Sequence, residues 1–291
     1  MLNEVTILKR IIQLKATGQE VDLEDTTEQF ECAKAPPSLF EADEQMRHGS
    51  KSVWLRALQK ETSLEVKGSL PHSEKCTVVV VDAMCFIQQH QFLDGETFRE
   101  YQSRLHRVLM RTLPDNTQSI HFPGDRYDHV ESTKEVERQH RSSQKPQKEY
   151  EINETTMTPP FKDFMASKTN KARLQHFLCS SWEDKESHRQ TTTDLYMSGG
   201  FLDEKKSVRV SASDILHVPN LESTQEECDT RVLLHAIFSV QHLGAEHVVV
   251  YGNDTDIIVM LTYYASTLLK DVELRVKKSP DHWVPVHDLA S

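Results

Sequence analysis

The stretch LESTQEECDTRVLLHAIFSVQHLGAEHVVVYGNDTDIIVML, residues 221–261, contains the strongest local pattern in the chain. Ser223 and Thr224 are each followed three residues later by a glutamate, a doubled capping-box pattern that predicts the start of a helix. Apolar residues recur at every fourth position over 228–240, and Gly244 stands where a helix C-cap is expected. The pattern therefore predicts one amphipathic helix that ends at a glycine.

A buried strand is predicted directly after this helix. His247 to Tyr251 form a mainly apolar run, and Asp254 and Asp256 follow it closely. Residues 257–261 are apolar again, which is compatible with either a helix or a strand. The predicted order is thus helix, strand, acidic turn and a further apolar element.

Two strand-like runs earlier in the chain also lead to an aspartate. Residues 76–81 form an apolar, β-branched run that continues directly into Asp82, and 119–122 form a shorter run that is followed by Asp125. Apolar residues at helical spacing lie between these runs, over 93–113. Strand, helix and strand in this order are the unit of a parallel sheet. The sequence therefore predicts an α/β fold with a central, mainly parallel sheet.

The rest of the chain is organised around this core. Residues 1–73 are predicted to form a helical and polar N-terminal extension, and the α/β domain is predicted to cover 74–291. A polar insertion is predicted at about 142–193, although helical spacing of apolar residues resumes within it over 161–182.

Composition argues against several classes of protein. The five cysteines are scattered without a CxxC pair, so neither a zinc ribbon nor a disulfide framework is expected. No apolar run reaches the roughly 18 residues of a transmembrane helix. The net charge of −11 disfavours non-specific binding of nucleic acid by the surface as a whole. A local basic segment without acidic residues does occur at 138–148.

Acidic residues are concentrated just after the predicted strands and at the predicted helix start. Because the carboxyl ends of parallel strands lie side by side, these carboxylates are expected to converge at one edge of the sheet. Such a cluster is unfavourable unless divalent cations neutralise it, so it indicates a metal site. Each residue alone can also be a turn or cap residue, and Glu226 can replace Glu227 because the helix phase is not fixed. The predicted ligands are Asp82, Asp125, Glu227, Asp229, Asp254 and Asp256.

The order of these motifs resembles the PIN-like nuclease superfamily, and within it the flap endonuclease branch, over roughly 76–261. An aspartate ends the first strand, and a second follows the next strand ahead of a segment that bears lysine and arginine. A glutamate-rich helix start comes third, and a strand-end D-x-D motif closes the set. Residues 125–141 are also similar to animal members of this superfamily, some of which derive from mobile elements.

The resemblance implies a three-layer α/β/α sandwich that hydrolyses DNA or RNA phosphodiester bonds by a two-metal mechanism, with two Mg²⁺ or Mn²⁺ ions. The six acidic residues would be direct or water-mediated ligands. Lys134, Arg138 and Arg141 would contact the substrate phosphate, with a solvated helix face as the alternative. Segment 142–193 would lie where flap endonucleases carry an arch over single-stranded substrate, with a disordered loop as the alternative. The expected partner is single-stranded or branched DNA, or RNA, and the expected location is intracellular and nuclear, without a membrane.

Two departures from the family pattern define the alternatives. Residues 1–73 precede the first strand, where flap endonucleases begin, and no Gly-rich hairpin for gripping duplex DNA follows the D-x-D motif. The main alternative is therefore a catalytically inactive PIN-like fold that acts as a binding or scaffold protein. A phosphatase of the haloacid dehalogenase type is disfavoured, because its second aspartate would stand at Met84.

Overall fold

The computed structural model describes residues 70, 72–111, 113–114, 116–127, 148–185, 188, 191–203, 205–279 and 281–290, together with the isolated positions 53, 56, 57 and 60. Most of the predicted N-terminal extension, 1–73, lies outside the described residues. Lys134, Arg138 and Arg141 also lie outside them.

One sheet of eight strands organises the described part of the chain. Its strands are β1 (Thr77–Val81), β2 (Thr117–Pro123), β3 (Asp194–Ser198), β4 (Ser207–Val210), β5 (Ile215–His217), β6 (His247–Tyr251), β7 (Glu273–Ser279) and β8 (His282–Pro285). Their spatial order is β5-β4-β3-β2-β1-β6-β7-β8. The five central strands, from β3 to β7 in that order, pair in parallel, and the outer strands are joined by antiparallel pairs. The predicted α/β class with a mainly parallel sheet is confirmed.

A valine-rich strand forms the centre of the sheet. β1 is buried along its whole length and pairs in parallel with β2 on one side and β6 on the other. β-branched side chains suit a strand whose two faces are both covered. The chain runs outward from β1 through β2 and β3, and it later adds β6 and β7 on the other side of β1. The direction of winding thus reverses between β1 and β6, and open α/β sheets bind ligands at the carboxyl ends of strands at such a point.

Helices cover both faces of this sheet. They are α1 (Ala83–Gln89), α2 (Phe98–Arg111), α3 (Phe161–Met165), α4 (Lys168–Trp182), α5 (Cys228–Leu243), α6 (Thr255–Ala265) and α7 (Val286–Ala290). Val79 and Val81 share one buried core with α1 to α4, whereas Val78 and Val80 share a second core with α5 to α7. This arrangement is compatible with a three-layer sandwich.

The predicted start of α5 is wrong, although its end at Gly244 is confirmed by a φ of +66°. The helix begins only at Cys228, after Glu227. The preceding loop is held by the buried guanidinium of Arg231, whose Nη2 donates to the carbonyl oxygens of Ser223 and Gln225, each at 2.8 Å. These hydrogen bonds stabilise a non-helical loop ahead of the helix.

Part of segment 142–193 belongs to the core of the domain. It contains α3 and α4, and Phe164, Leu174, Leu178 and Trp182 are buried there. Residues 142–147 lie outside the described part. Within the described ranges, no helix combines the length and the apolar character needed to span a membrane.

Candidate functional site

Asp82 lies at the carboxyl end of the central strand. Its backbone N–H donates to the carbonyl oxygen of Tyr251 at 3.0 Å, which extends the β1–β6 pairing by one residue. Its side chain then caps α1, because Oδ1 accepts from the backbone N–H of Cys85 at 3.0 Å. Asp82 is only 9% exposed. Its carboxylate is therefore held where the strand order reverses.

Asp125 connects the end of β2 to the start of α5. Its Oδ1 accepts from the backbone N–H of Cys228 at 2.8 Å, and its Oδ2 accepts from the hydroxyl of Tyr127 at 2.9 Å. Asp125 therefore supplies the side-chain cap of α5, whereas the side chain of Glu227 makes no capping hydrogen bond. This contact fixes the N-terminus of α5, and with it Asp229, beside the carboxyl end of β2.

Close backbone packing holds Asp125 in place. The buried amide of Gln175 pairs with its backbone: the amide nitrogen donates to the carbonyl oxygen at 2.9 Å, and the amide oxygen accepts from the N–H at 3.2 Å. The N–H of Gly124 donates to the carbonyl oxygen of Ser198 at 2.9 Å. Gly199 has a φ of +81°, and a Cβ there would lie 2.2 Å from the carbonyl oxygen of Gly124. Glycine is needed for both this conformation and this approach.

Three of the predicted ligands form an acidic triad. One carboxylate oxygen from each of Asp229, Asp254 and Asp256 lies within 4.8 Å of the other two. Asp229 is in the first turn of α5, and Asp254 caps α6 by accepting from the N–H of Asp256 at 3.0 Å. Carboxylate oxygens are the ligands that hard divalent cations prefer. The acidic triad could therefore hold a metal ion.

Electrostatic coupling connects the acidic triad to the other predicted ligands. Burial raises the pKa of Asp229 to about 7, and the carboxylates of Asp254, Asp82, Asp125 and Glu227 contribute to this shift. Burial is also the main reason that the pKa of Asp82 is raised to about 6, and Asp125 adds to it. Mutual repulsion of this kind is relieved when a cation binds among the carboxylates.

Three of these carboxylates have no described basic residue in direct contact. Neither Asp82, Asp229 nor Asp254 forms a salt bridge with a described lysine, arginine or histidine. Asp82 is buried and Asp229 is partly buried, and such carboxylates are unfavourable in the ionised form without a counter-charge. A divalent ion could supply this positive charge. The donor atoms and their charge thus fit a hard divalent metal.

All six predicted acidic residues lie at the carboxyl edge of the sheet, and together they are named the acidic site. The acidic triad forms one part of it. The other part consists of Asp82, Asp125 and Glu227, which interact electrostatically with Asp229. In this part, Asp82 and Asp125 also cap helices with their side-chain oxygens.

Two residues of this region were not identified as site residues from the sequence. Tyr127 stands only two residues after Asp125, but its role becomes visible only through the hydrogen bond to that carboxylate. Gln175 lies on α4, and its contact with the backbone of Asp125 depends on how α4 packs on the sheet. No local sequence pattern predicts a contact of this kind.

Comparisons with protein-family models, with curated proteins and with solved structures gave no match. The chemistry of the acidic site is therefore inferred from its own residues.

Proposed function

We propose that this protein is a divalent-metal-dependent nuclease with a PIN-like fold, similar to the flap endonuclease branch, that hydrolyses DNA or RNA phosphodiester bonds. The proposal is carried by the acidic triad, together with three further carboxylates that interact electrostatically with Asp229, at the sheet edge where the strand order reverses. Open α/β sheets place their ligand sites at this point. Nucleic-acid partners and a nuclear location are part of the same proposal.

The proposed cofactors are two Mg²⁺ or Mn²⁺ ions. The acidic triad provides three carboxylates for one ion, and Asp82 and Asp125, which are coupled electrostatically to Asp229, are the proposed ligands of the second. Such ions keep several waters and need few protein carboxylates. When bound, they supply Lewis acidity to both the attacking and the leaving oxygen of a phosphodiester.

The contribution of the chain itself is to hold the carboxylates in fixed positions. N–H donors at the starts of α1 and α5 orient Asp82 and Asp125, and the hydroxyl of Tyr127 restricts the rotation of the Asp125 carboxylate. Partial burial strengthens the interaction of these carboxylates with a cation, because fewer water molecules screen the charges. Rigid ligands of this kind cost little reorganisation during the reaction.

A cleavage assay tests the proposal. Purified full-length protein is incubated with fluorescently labelled single-stranded DNA, branched DNA and single-stranded RNA, in Mg²⁺, in Mn²⁺ or in EDTA. Cleavage is expected with a metal and not in EDTA. Asp254→Asn removes one triad ligand and should reduce the rate by about 100-fold or more. The matched control is Asp271→Asn, because that side chain is 83% exposed, and it should keep the wild-type rate.

The outcomes separate the nuclease from its main alternative. No cleavage of any substrate with either metal contradicts the nuclease function. If calorimetry then detects divalent binding that Asp254→Asn abolishes, the fold acts as a non-catalytic binding or scaffold protein. Equal cleavage by the wild type and by Asp254→Asn would place the activity outside the acidic site.

A further inference from the structure

Lys278 lies at the carboxyl end of β7, on the same sheet edge as the acidic site. β7 pairs in parallel with β6, and Lys277 stands opposite Tyr251, the last residue of β6. The N–H of Gly252 donates to the carbonyl oxygen of Lys277 at 3.4 Å. This hydrogen bond continues the pairing with β7 for one residue beyond the end of β6. Lys278 is therefore next to the short segment that leads to Asp254.

The strand pairing is irregular at Lys278. Lys277 pairs with Trp283 and Ser279 pairs with His282, so Lys278 is the extra residue on β7, as in a β-bulge. Bulges bend a strand and redirect a side chain, and they are frequent beside active sites. The preceding lysine is placed differently, because the Nζ of Lys277 lies 5.0 Å from the centroid of the Tyr251 ring.

Lys278 is half-buried, and Asp254 is its charged neighbour. Burial lowers the pKa of the Lys278 ammonium group, and the carboxylate of Asp254 acts in the opposite direction. The side chain of Lys278 forms no hydrogen bond or salt bridge with any residue in the described ranges. Its three N–H donors are therefore available to another anion.

We infer that Lys278 binds a phosphate of the nucleic-acid strand on the β7 side of the acidic site. The inference rests on the proposed nuclease function and adds a substrate contact to it. When divalent ions neutralise the carboxylates, the attraction of Asp254 for Lys278 weakens, and a phosphate becomes the stronger partner. An ammonium group is a compact point charge that suits this contact.

Steady-state cleavage in Mn²⁺ tests this role, with labelled single-stranded DNA and RNA of one sequence. Lys278→Ala is expected to raise KM about tenfold and to leave kcat within about twofold. It should also reduce the slope of log KM against log salt by about 0.7, the value for one phosphate contact on a single strand. Lys278→Arg should restore most of the loss. The control is Lys270→Ala, whose side chain is 64% exposed, and it should behave as wild type.

Two further measurements exclude a purely structural role. Lys278→Ala should retain the wild-type melting temperature and should bind Mn²⁺ at least as tightly in calorimetry, because a positive charge next to the ligands has been removed. If Lys278→Ala lowers both quantities and Lys278→Arg does not restore cleavage, Lys278 supports the fold and the inference is overturned.

The remaining outcomes distinguish this inference from the proposed function. Unchanged KM and salt slope in Lys278→Ala, with an active wild type, overturn the inference and leave the nuclease function intact. If the wild type does not cleave, fluorescence anisotropy with the same oligonucleotides decides. If the wild type binds the oligonucleotides and Lys278→Ala weakens this binding, the phosphate contact is supported and the nuclease function is contradicted. Binding that is absent, or insensitive to the substitution, overturns both.

Discussion

Asp229 lies between its protonated and its ionised form at neutral pH, because burial and the neighbouring carboxylates raise its pKa to about 7. The pKa of Asp82 is raised to about 6, mainly by burial. Each carboxyl binds a proton more tightly in the folded protein than in the unfolded chain. The stabilisation that follows is complete below the unfolded pKa of 3.8 and is lost as the pH rises through the folded pKa.

The contribution of these two carboxyls to the stability of the metal-free protein should therefore decrease as the pH increases. Buried histidines such as His235, whose pKa is lowered to about 3, contribute in the opposite direction. In EDTA, the melting temperature of the wild type relative to that of Asp229→Asn is expected to fall between about pH 4 and about pH 8, because both proteins carry the same histidines and differ only in this carboxyl. Saturating Mn²⁺ should raise the melting temperature most at the upper end of this range, because the ionised carboxylates bind it. Thermal unfolding followed by circular dichroism measures these effects. An identical pH dependence in the wild type and in Asp229→Asn would contradict the coupling.

At the scale of helices and strands, α5 depends on a cap from a different part of the chain. Asp125→Ala removes the acceptor for the N–H of Cys228 and should lower the free energy of unfolding by about 1–2 kcal/mol. Asp125→Asn keeps an acceptor and removes one repelling charge, so it should be at least as stable as the wild type in EDTA. It should nevertheless bind Mn²⁺ more weakly. Urea unfolding and calorimetry measure these effects, and equal destabilisation by both substitutions would argue against the capping role.

The turn after β3 depends on a close approach to the turn after β2. Gly199→Ala combines a φ of +81° with a Cβ 2.2 Å from the carbonyl oxygen of Gly124, and it should cost about 2–4 kcal/mol in unfolding free energy. Gly95 is the matched control, because its φ is +76° and a Cβ there would meet nothing within 4 Å. Gly95→Ala should cost only about 1 kcal/mol. If both substitutions lower the free energy of unfolding in urea by the same amount, backbone strain rather than packing determines the loss of stability.

The sequence predicts those elements whose own residues determine them. β1 and β6 are continuous valine-rich runs, and the end of α5 is set by a glycine. β3 has only Leu195, Tyr196 and Met197 as an apolar signal after a polar segment, and β7 is rich in charged residues. Both strands are positioned by pairing with neighbouring strands. The local periodicity of the sequence does not predict this pairing. The start of α5 is missed because Arg231 holds the preceding carbonyls.

At the scale of the whole molecule, the location of the acidic site follows from topology. Aspartates placed after parallel strands meet at one edge of the sheet, so their convergence can be predicted without knowledge of side-chain contacts. The individual role of each carboxylate cannot be predicted in this way, because it depends on which N–H groups that carboxylate accepts from. Tyr127, Gln175 and Lys278 are missed for the same reason, since their contacts join parts of the chain that are distant in sequence or are not marked by a motif.

The most direct test of the metal site is anomalous diffraction from crystals grown with Mn²⁺. Two peaks about 4 Å apart are expected at the carboxyl edge of the sheet, the spacing of two-metal sites. One should be ligated by Asp229, Asp254 and Asp256, and the other should lie next to Asp82 and Asp125. The absence of any peak within ligand distance of the acidic triad, at a Mn²⁺ concentration that saturates cleavage or exceeds about 10 mM, would contradict the proposed metal centre.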